Sequence, residues 1–169
     1  MARWTGTWLS GLGAAGVDVR PAGDWRGRRF GLPAEGVGAI ATIGPRATAF
    51  LLDLLVGGLI GSLVNVVIVD PTDVQRALAA NGAFALQVLV LTALTGQSLG
   101  MRAIGLRVQR VQRVGTDDPA TPATAIPGFL PAAIRTALLV LLVPALISDR
   151  DGRGLHDKAA GTAVVRARP

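Results

Sequence analysis

From Ala47 to Val69 the chain runs for 23 residues with a single charged side chain, Asp53, and from Ala77 to Thr95 for 19 residues with none. A helix rises about 1.5 Å per residue, so either run reaches about as far as the roughly 30 Å of bilayer hydrocarbon requires. A soluble fold of 169 residues would have one ordinary core and a mostly polar exterior. The composition points elsewhere, with half of the residues apolar and 17% charged, against about 25% charged in soluble domains. A third apolar run, Thr136 to Ile147, has only 12 residues and contains Pro144. It falls well short of a full crossing and is expected to form a short, kinked or re-entrant helix. The expected fold is an all-α membrane protein with two full transmembrane helices and a short third apolar helix.

Charge decides orientation. The formal charge is +6 and 16 of the 17 basic residues are arginine. Met1 to Arg46 holds six arginines, and Met101 to Arg113 holds four. The turn from Asp70 to Asn81 holds only Arg76, beside Asp70 and Asp73. By the positive-inside rule the amino terminus and the second loop are cytoplasmic, while the short turn between the spans faces outward. The arginines flank apolar spans without base-stacking aromatics, which argues against a nucleic-acid partner. Arg28 and Arg29 before Phe30 resemble a twin-arginine signal only superficially, because the first span follows too far downstream. The expected site is a multi-pass protein of the cytoplasmic membrane, with the lipid bilayer as its first partner.

Along the chain, residues 1–43 read as an extension and 44–166 as the membrane domain. Trp4, Trp8, Leu9 and Leu12 are spaced to share one helical face, either in the membrane interface or as a loosely ordered tail. Pro21, Gly23, Gly27, Gly31 and Pro33 then read as a linker. The first helix is expected to begin near Pro45. Asp70-Pro71-Thr72-Asp73 forms the hairpin turn, with aspartate positioned to cap the next helix. A polar, proline-rich loop is expected from Gly115 to Pro131.

Asp53 is the most informative residue, since a carboxylate two turns into a span costs about 2.5 to 3.5 kcal/mol on insertion scales and needs a partner. Arg46 lies seven positions earlier, close to the same helical face, so an ion pair or network with Asp53 is expected, with interfacial anchoring as the alternative. Gly57 and Gly61 continue that face as a small-xxx-small surface for close helix packing. Asn65 and Gln87 are positioned to add interhelical hydrogen bonds. The chain has no cysteine and one histidine, His156. Thiolate metal sites and thiol catalysis are thereby excluded, and a lone histidine does not make a zinc site. No nucleophile elbow or phosphate loop accompanies it, so no enzyme activity, metal or cofactor is expected.

An arginine opening the first span, an aspartate within it, and a late Leu155-His156-Asp157 followed by Gly161-Thr162 and a β-branched run resemble the small bacterial RDD family. In that pattern the charge motif is Arg46, Asp53 and Asp157. Gly96 to Val108 is similar to the family's Gly-x-Thr-x-Gly-Lys-x-x-x-Gly-Leu-x-Val segment. Gly96, Gly100 and Gly105 stand at its glycines, Ser98 at its threonine and Met101 at its lysine. Arg135 matches the basic residue before the last apolar segment. The resemblance covers about residues 43 to 166. It implies no single activity, although some members are thought to move sodium or protons.

Two functions remain open from the sequence. One is a non-catalytic membrane module, such as an accessory or assembly subunit of a larger membrane complex or a homo-oligomer. The other is a proton- or sodium-linked transporter using Asp53. The resemblance also suggests that Asp157 meets Arg46 at the cytoplasmic end of the first helix. That contact puts the carboxyl-terminal segment in the cytoplasm, and the third apolar run then re-enters or lies along the interface.

Overall fold

The computed structural model describes residues 24–111, 126–141 and 152–169. The Trp4 to Leu12 face, most of the proline-rich loop, and the third apolar run beyond Leu141 lie outside the described residues.

Helix α1 (Ile43–Val66) carries Pro45 in its first turn, where a missing amide proton leaves nothing unpaired. A turn reverses the chain into α2 (Asp73–Thr95). Aspartate was expected to cap this helix, but Thr72 does so. Its Oγ1 accepts from Gln75 N at 3.3 Å, while Gln75 Oε1 accepts from Thr72 N at 2.8 Å. This is a reciprocal capping box, which satisfies two otherwise orphaned amides. Asp73 instead occupies the first turn and pairs with exposed Arg76 at 2.9 Å.

Both helices are long and apolar enough to cross a membrane, and only 22% of the apolar stretch of either is buried within the protein. On α1 the split follows helical geometry. Ala49, Asp53, Gly57 and Gly61, each four residues apart, form the buried stripe, whereas Leu51, Leu55, Leu59 and Leu63 form an exposed one. The buried stripe meets α2 at backbone distance. A Cβ added to Gly57 would lie 2.6 Å from Phe84 Cβ, and one added to Gly61 would lie 2.5 Å from Ala80 Cα. Any larger side chain would push the helices apart.

After α2 the chain forms a short helix, α3 (Leu99–Ile104), and a strand, β1 (Leu106–Arg110). Helix α4 (Phe129–Val140) packs Leu139 against Phe84 and Val88, where Phe50 meets the Phe84 ring edge-on at a centroid distance of 5.7 Å. Pro131 was expected to belong to the preceding loop. It sits instead in the first turn of α4, a position that tolerates proline. With 12 residues, α4 is too short to cross a bilayer.

A last short helix, α5 (Leu155–Ala159), leads into β2 (Thr162–Arg166), which pairs antiparallel with β1 from Leu106↔Arg166 to Arg110↔Thr162. Ile40 adds a bridge to Val165. The all-α expectation is therefore corrected, because the protein is mostly helical but closes on a two-stranded sheet. Its β-branched residues explain it: Val108, Val164 and Val165 are almost completely buried, each contributing about 1.5 to 3 kcal/mol of burial.

The stretch expected to be a linker is also packed from residue 24 onward. Phe30, Leu32 and Ile40 cluster with Ala163 and Val165, Trp25 Nε1 donates to Leu32 O at 2.8 Å, and the Arg153 guanidinium lies 4.3 Å from the Phe30 ring centre. Its glycines permit left-handed turns rather than disorder, as at Gly27 (φ +84°) and Gly31 (φ +67°). The start of α1, the end of α2, α3 and the sheet thus lie together at one end of the helical hairpin, opposite the Thr72 turn.

Candidate functional site: two buried carboxylates

Asp53 lies on the buried stripe of α1 and is 4% exposed. Three donors reach it from two other elements. Gln87 Nε2 of α2 donates to Oδ1 at 3.1 Å, the backbone amide of Gly100 to Oδ1 at 2.8 Å, and Ser98 Oγ to Oδ2 at 2.5 Å. Ser98 is itself the cap of α3, accepting from Met101 N at 3.2 Å. The chain of donors therefore runs from the α3 backbone through Ser98 to the carboxylate. Gly100 must be glycine here, since a Cβ would collide with the Ala49 carbonyl and hold the Gly100 amide away from Asp53. Charge-assisted bonds of this kind are about twice as strong as neutral ones and compensate the desolvation of the carboxylate.

Asp157 is completely buried in α5 and receives two guanidinium groups. Arg46, from the first turn of α1, pairs with Oδ2 and also donates through Nη1 to Gly152 O at 2.5 Å. Arg135, from α4, pairs with Oδ1. The carboxylate also accepts from Gly154 N at 3.3 Å, and its backbone carbonyl accepts from Thr162 Oγ1 at 3.4 Å. One residue thus ties α1, α4, α5 and the start of β2. Buried His156 places Nε2 3.5 Å from Asp157 Oδ1.

The expectation that Arg46 serves Asp53 is corrected by this geometry. Seven residues of helix bring the two onto one face but leave them nearly two turns apart. The arginine reaches instead towards α5, and Asp53 is satisfied by hydroxyl, amide and backbone. The two clusters still share a field: Arg135 feels the positive charge of Arg46 and the negative charge of Asp53. Arg46 and Arg135 balance the formal charges of Asp53 and Asp157, the condition under which ionised groups are tolerated away from water.

The remaining motif residues shape the backbone around these two centres. Gly96 (φ +74°) and Gly105 (φ +78°) end α2 and α3 in the left-handed conformation, and Gly161 (φ +63°) turns α5 into β2. Gly57 and Gly61 sit farther along α1 and set its approach to α2. Ser98 stood in the motif at a threonine position, but its bond to Asp53 was not anticipated. The available signal was a short hydroxyl two residues before a glycine, directly after the second span. Among the described residues no three His, Cys, Asp or Glu side chains converge as a metal-ligand set.

Comparison with known families matches the RDD family over residues 40–161, well over half of the chain. No curated protein and no solved structure matches it.

Proposed function

The chain belongs to the RDD family, and from that premise we propose that it is a non-catalytic, multi-pass module of the bacterial cytoplasmic membrane, acting as an accessory or assembly subunit. The observation that carries this reading is the state of Asp53, the one charge in the middle of a candidate span. Its two oxygens are held by three protein donors from α2 and α3, so it serves as a clasp between helices. The exposed leucine stripe of α1 supports contact with lipid, since such a surface is unfavourable in water.

The sheet supports a topology. Ile40, β1 and β2 are joined, so the segments before α1, after α2 and after α5 share one side of the hairpin. The arginine distribution makes that side cytoplasmic. Between β1 and β2 the chain then makes no net crossing, which favours a re-entrant or interfacial α4.

Proton- or sodium-linked transport is the second reading, favoured by the burial of the same carboxylate in a span. Purified protein in proteoliposomes under an imposed pH or sodium gradient separates the two. We expect wild type to leak no faster than empty vesicles. Gradient-driven flux that disappears in well-folded Asp53→Asn would replace the clasp reading with transport.

A further inference from the structure

One cavity of the described residues is lined by neither of the two carboxylates. It is a cleft of about 370 Å³ at the sheet end of the molecule, lined chiefly by Gln97, Arg102, Arg107, Gln109, Arg166 and Arg168. That volume is within the range of small-ligand sites, about 300 to 1,000 Å³. Its walls are held by backbone bonds. Gly38 N donates to Arg166 O at 2.8 Å, and Ala167 N donates to Gly105 O at 2.7 Å. Gln97 Nε2 donates to Leu106 O at 2.7 Å, which fixes the residue that links the end of α2 to the cleft. Arg107 and Gln109 are two positions apart on β1 and so project from the same face.

The charge of this cleft is uncompensated. It is lined, among the described residues, by four arginines and no carboxylate. Among the described residues none of the four forms an ion pair, whereas Arg46 and Arg135 both converge on Asp157. Four guanidinium groups around one small space repel one another unless an anion sits among them. Planar guanidinium forks match the oxygens of phosphate, and neighbouring side-chain amides can add neutral donors.

We propose that this cleft binds a phosphate-bearing anion. Gln97 lies two residues beyond the end of α2, so on the membrane reading given above the cleft opens at the level of lipid headgroups, where basic pockets recognise anionic lipids. A soluble phosphate would present the same chemistry from the aqueous side, and that source does not depend on the membrane reading.

The test uses the full chain purified in a neutral detergent. Binding is followed by thermal stability on titration with short-chain phosphatidylglycerol, with phosphatidylcholine of the same chains, and with inorganic phosphate and pyrophosphate, against sodium chloride at matched ionic strength. Stabilisation by phosphatidylglycerol but not by phosphatidylcholine assigns a lipid headgroup. Stabilisation by inorganic phosphate or pyrophosphate assigns a soluble ligand. In either case Arg102→Gln/Arg166→Gln, at two exposed positions, should weaken binding about tenfold or more. Arg76→Gln, at the opposite end of the hairpin, should leave it unchanged. Equal stabilisation by phosphatidylcholine or by sodium chloride alone overturns the proposal. So does unaltered affinity in the double variant, with Arg168→Gln as a second single-site check. Because the membrane reading is tested separately by cysteine labelling, failure here leaves that reading standing.

Discussion

Ser98 donates its hydroxyl proton to Asp53 Oδ2 across 2.5 Å, joining the turn after the second span to the middle of the first. Removing one donor to a buried carboxylate leaves part of its charge unsatisfied, at about 1.5 to 3 kcal/mol. Ser98→Ala should therefore lower the unfolding temperature in detergent, and Ser98→Thr should recover most of the loss. Equal stability of the alanine variant and wild type would show that this bond contributes nothing.

Asp157 serves two cations, which predicts unequal damage within the cluster. Asp157→Ala removes the shared carboxylate from both Arg46 and Arg135, whereas Arg46→Ala leaves Asp157 its second partner. Breaking a fully buried pair from one side costs about 3 to 5 kcal/mol. The aspartate variant should show the larger loss of folded protein from the membrane fraction, and Arg46→Ala/Asp157→Ala should do less harm than the sum of the two. Strict additivity would mean that the residues act independently.

The contact between the two long helices can be tested with two glycines of α1, one on the buried stripe and one beside it. Gly61→Ala places a methyl against the Ala80 backbone, while the same change at Gly58 meets nothing within 4 Å. Overpacking should destabilise the first by about 1 to 3 kcal/mol. The second should be neutral or gain about 0.5 to 1 kcal/mol from reduced backbone freedom. Denaturant titration of both variants provides the comparison, and similar behaviour would refute the close approach.

Topology is accessible because the native chain lacks cysteine. Single cysteines at Val37 and Ala167 should be shielded from an impermeant thiol reagent in intact cells, and one at Thr72 should react. Labelling at Ala167 but not Val37 would put the two on opposite sides of the membrane, which the Ile40 bridge to Val165 forbids.

Much of the helical architecture was legible because a bilayer imposes a length on any segment that crosses it. Ala47 to Val69 and Ala77 to Thr95 announced α1 and α2 through composition alone. Gly57 and Gly61 were readable from spacing, as was the pairing of helices that each buries one stripe. The sheet was not, since five-residue strands have little periodicity and the partner of Leu106 lies far along the chain at Arg166. The partner of Asp53 was missed for a related reason. Helical spacing reveals neighbours on the same helix, so Arg46 came to attention, whereas Ser98 and Gly100 reach Asp53 through tertiary contact. The packed stretch around Phe30 was obscured by glycines that mark turns as readily as linkers.

The joining of β1 to β2 also imposes an order of events on synthesis. Every residue of the α1–α2 hairpin and of the Asp53 clasp has been made once the chain reaches Gly100, whereas Asp157 and β2 follow only after α4. Until then the edge of β1 has no partner strand. The carboxylate that ties the finished protein together is thus among the last of its groups to be made.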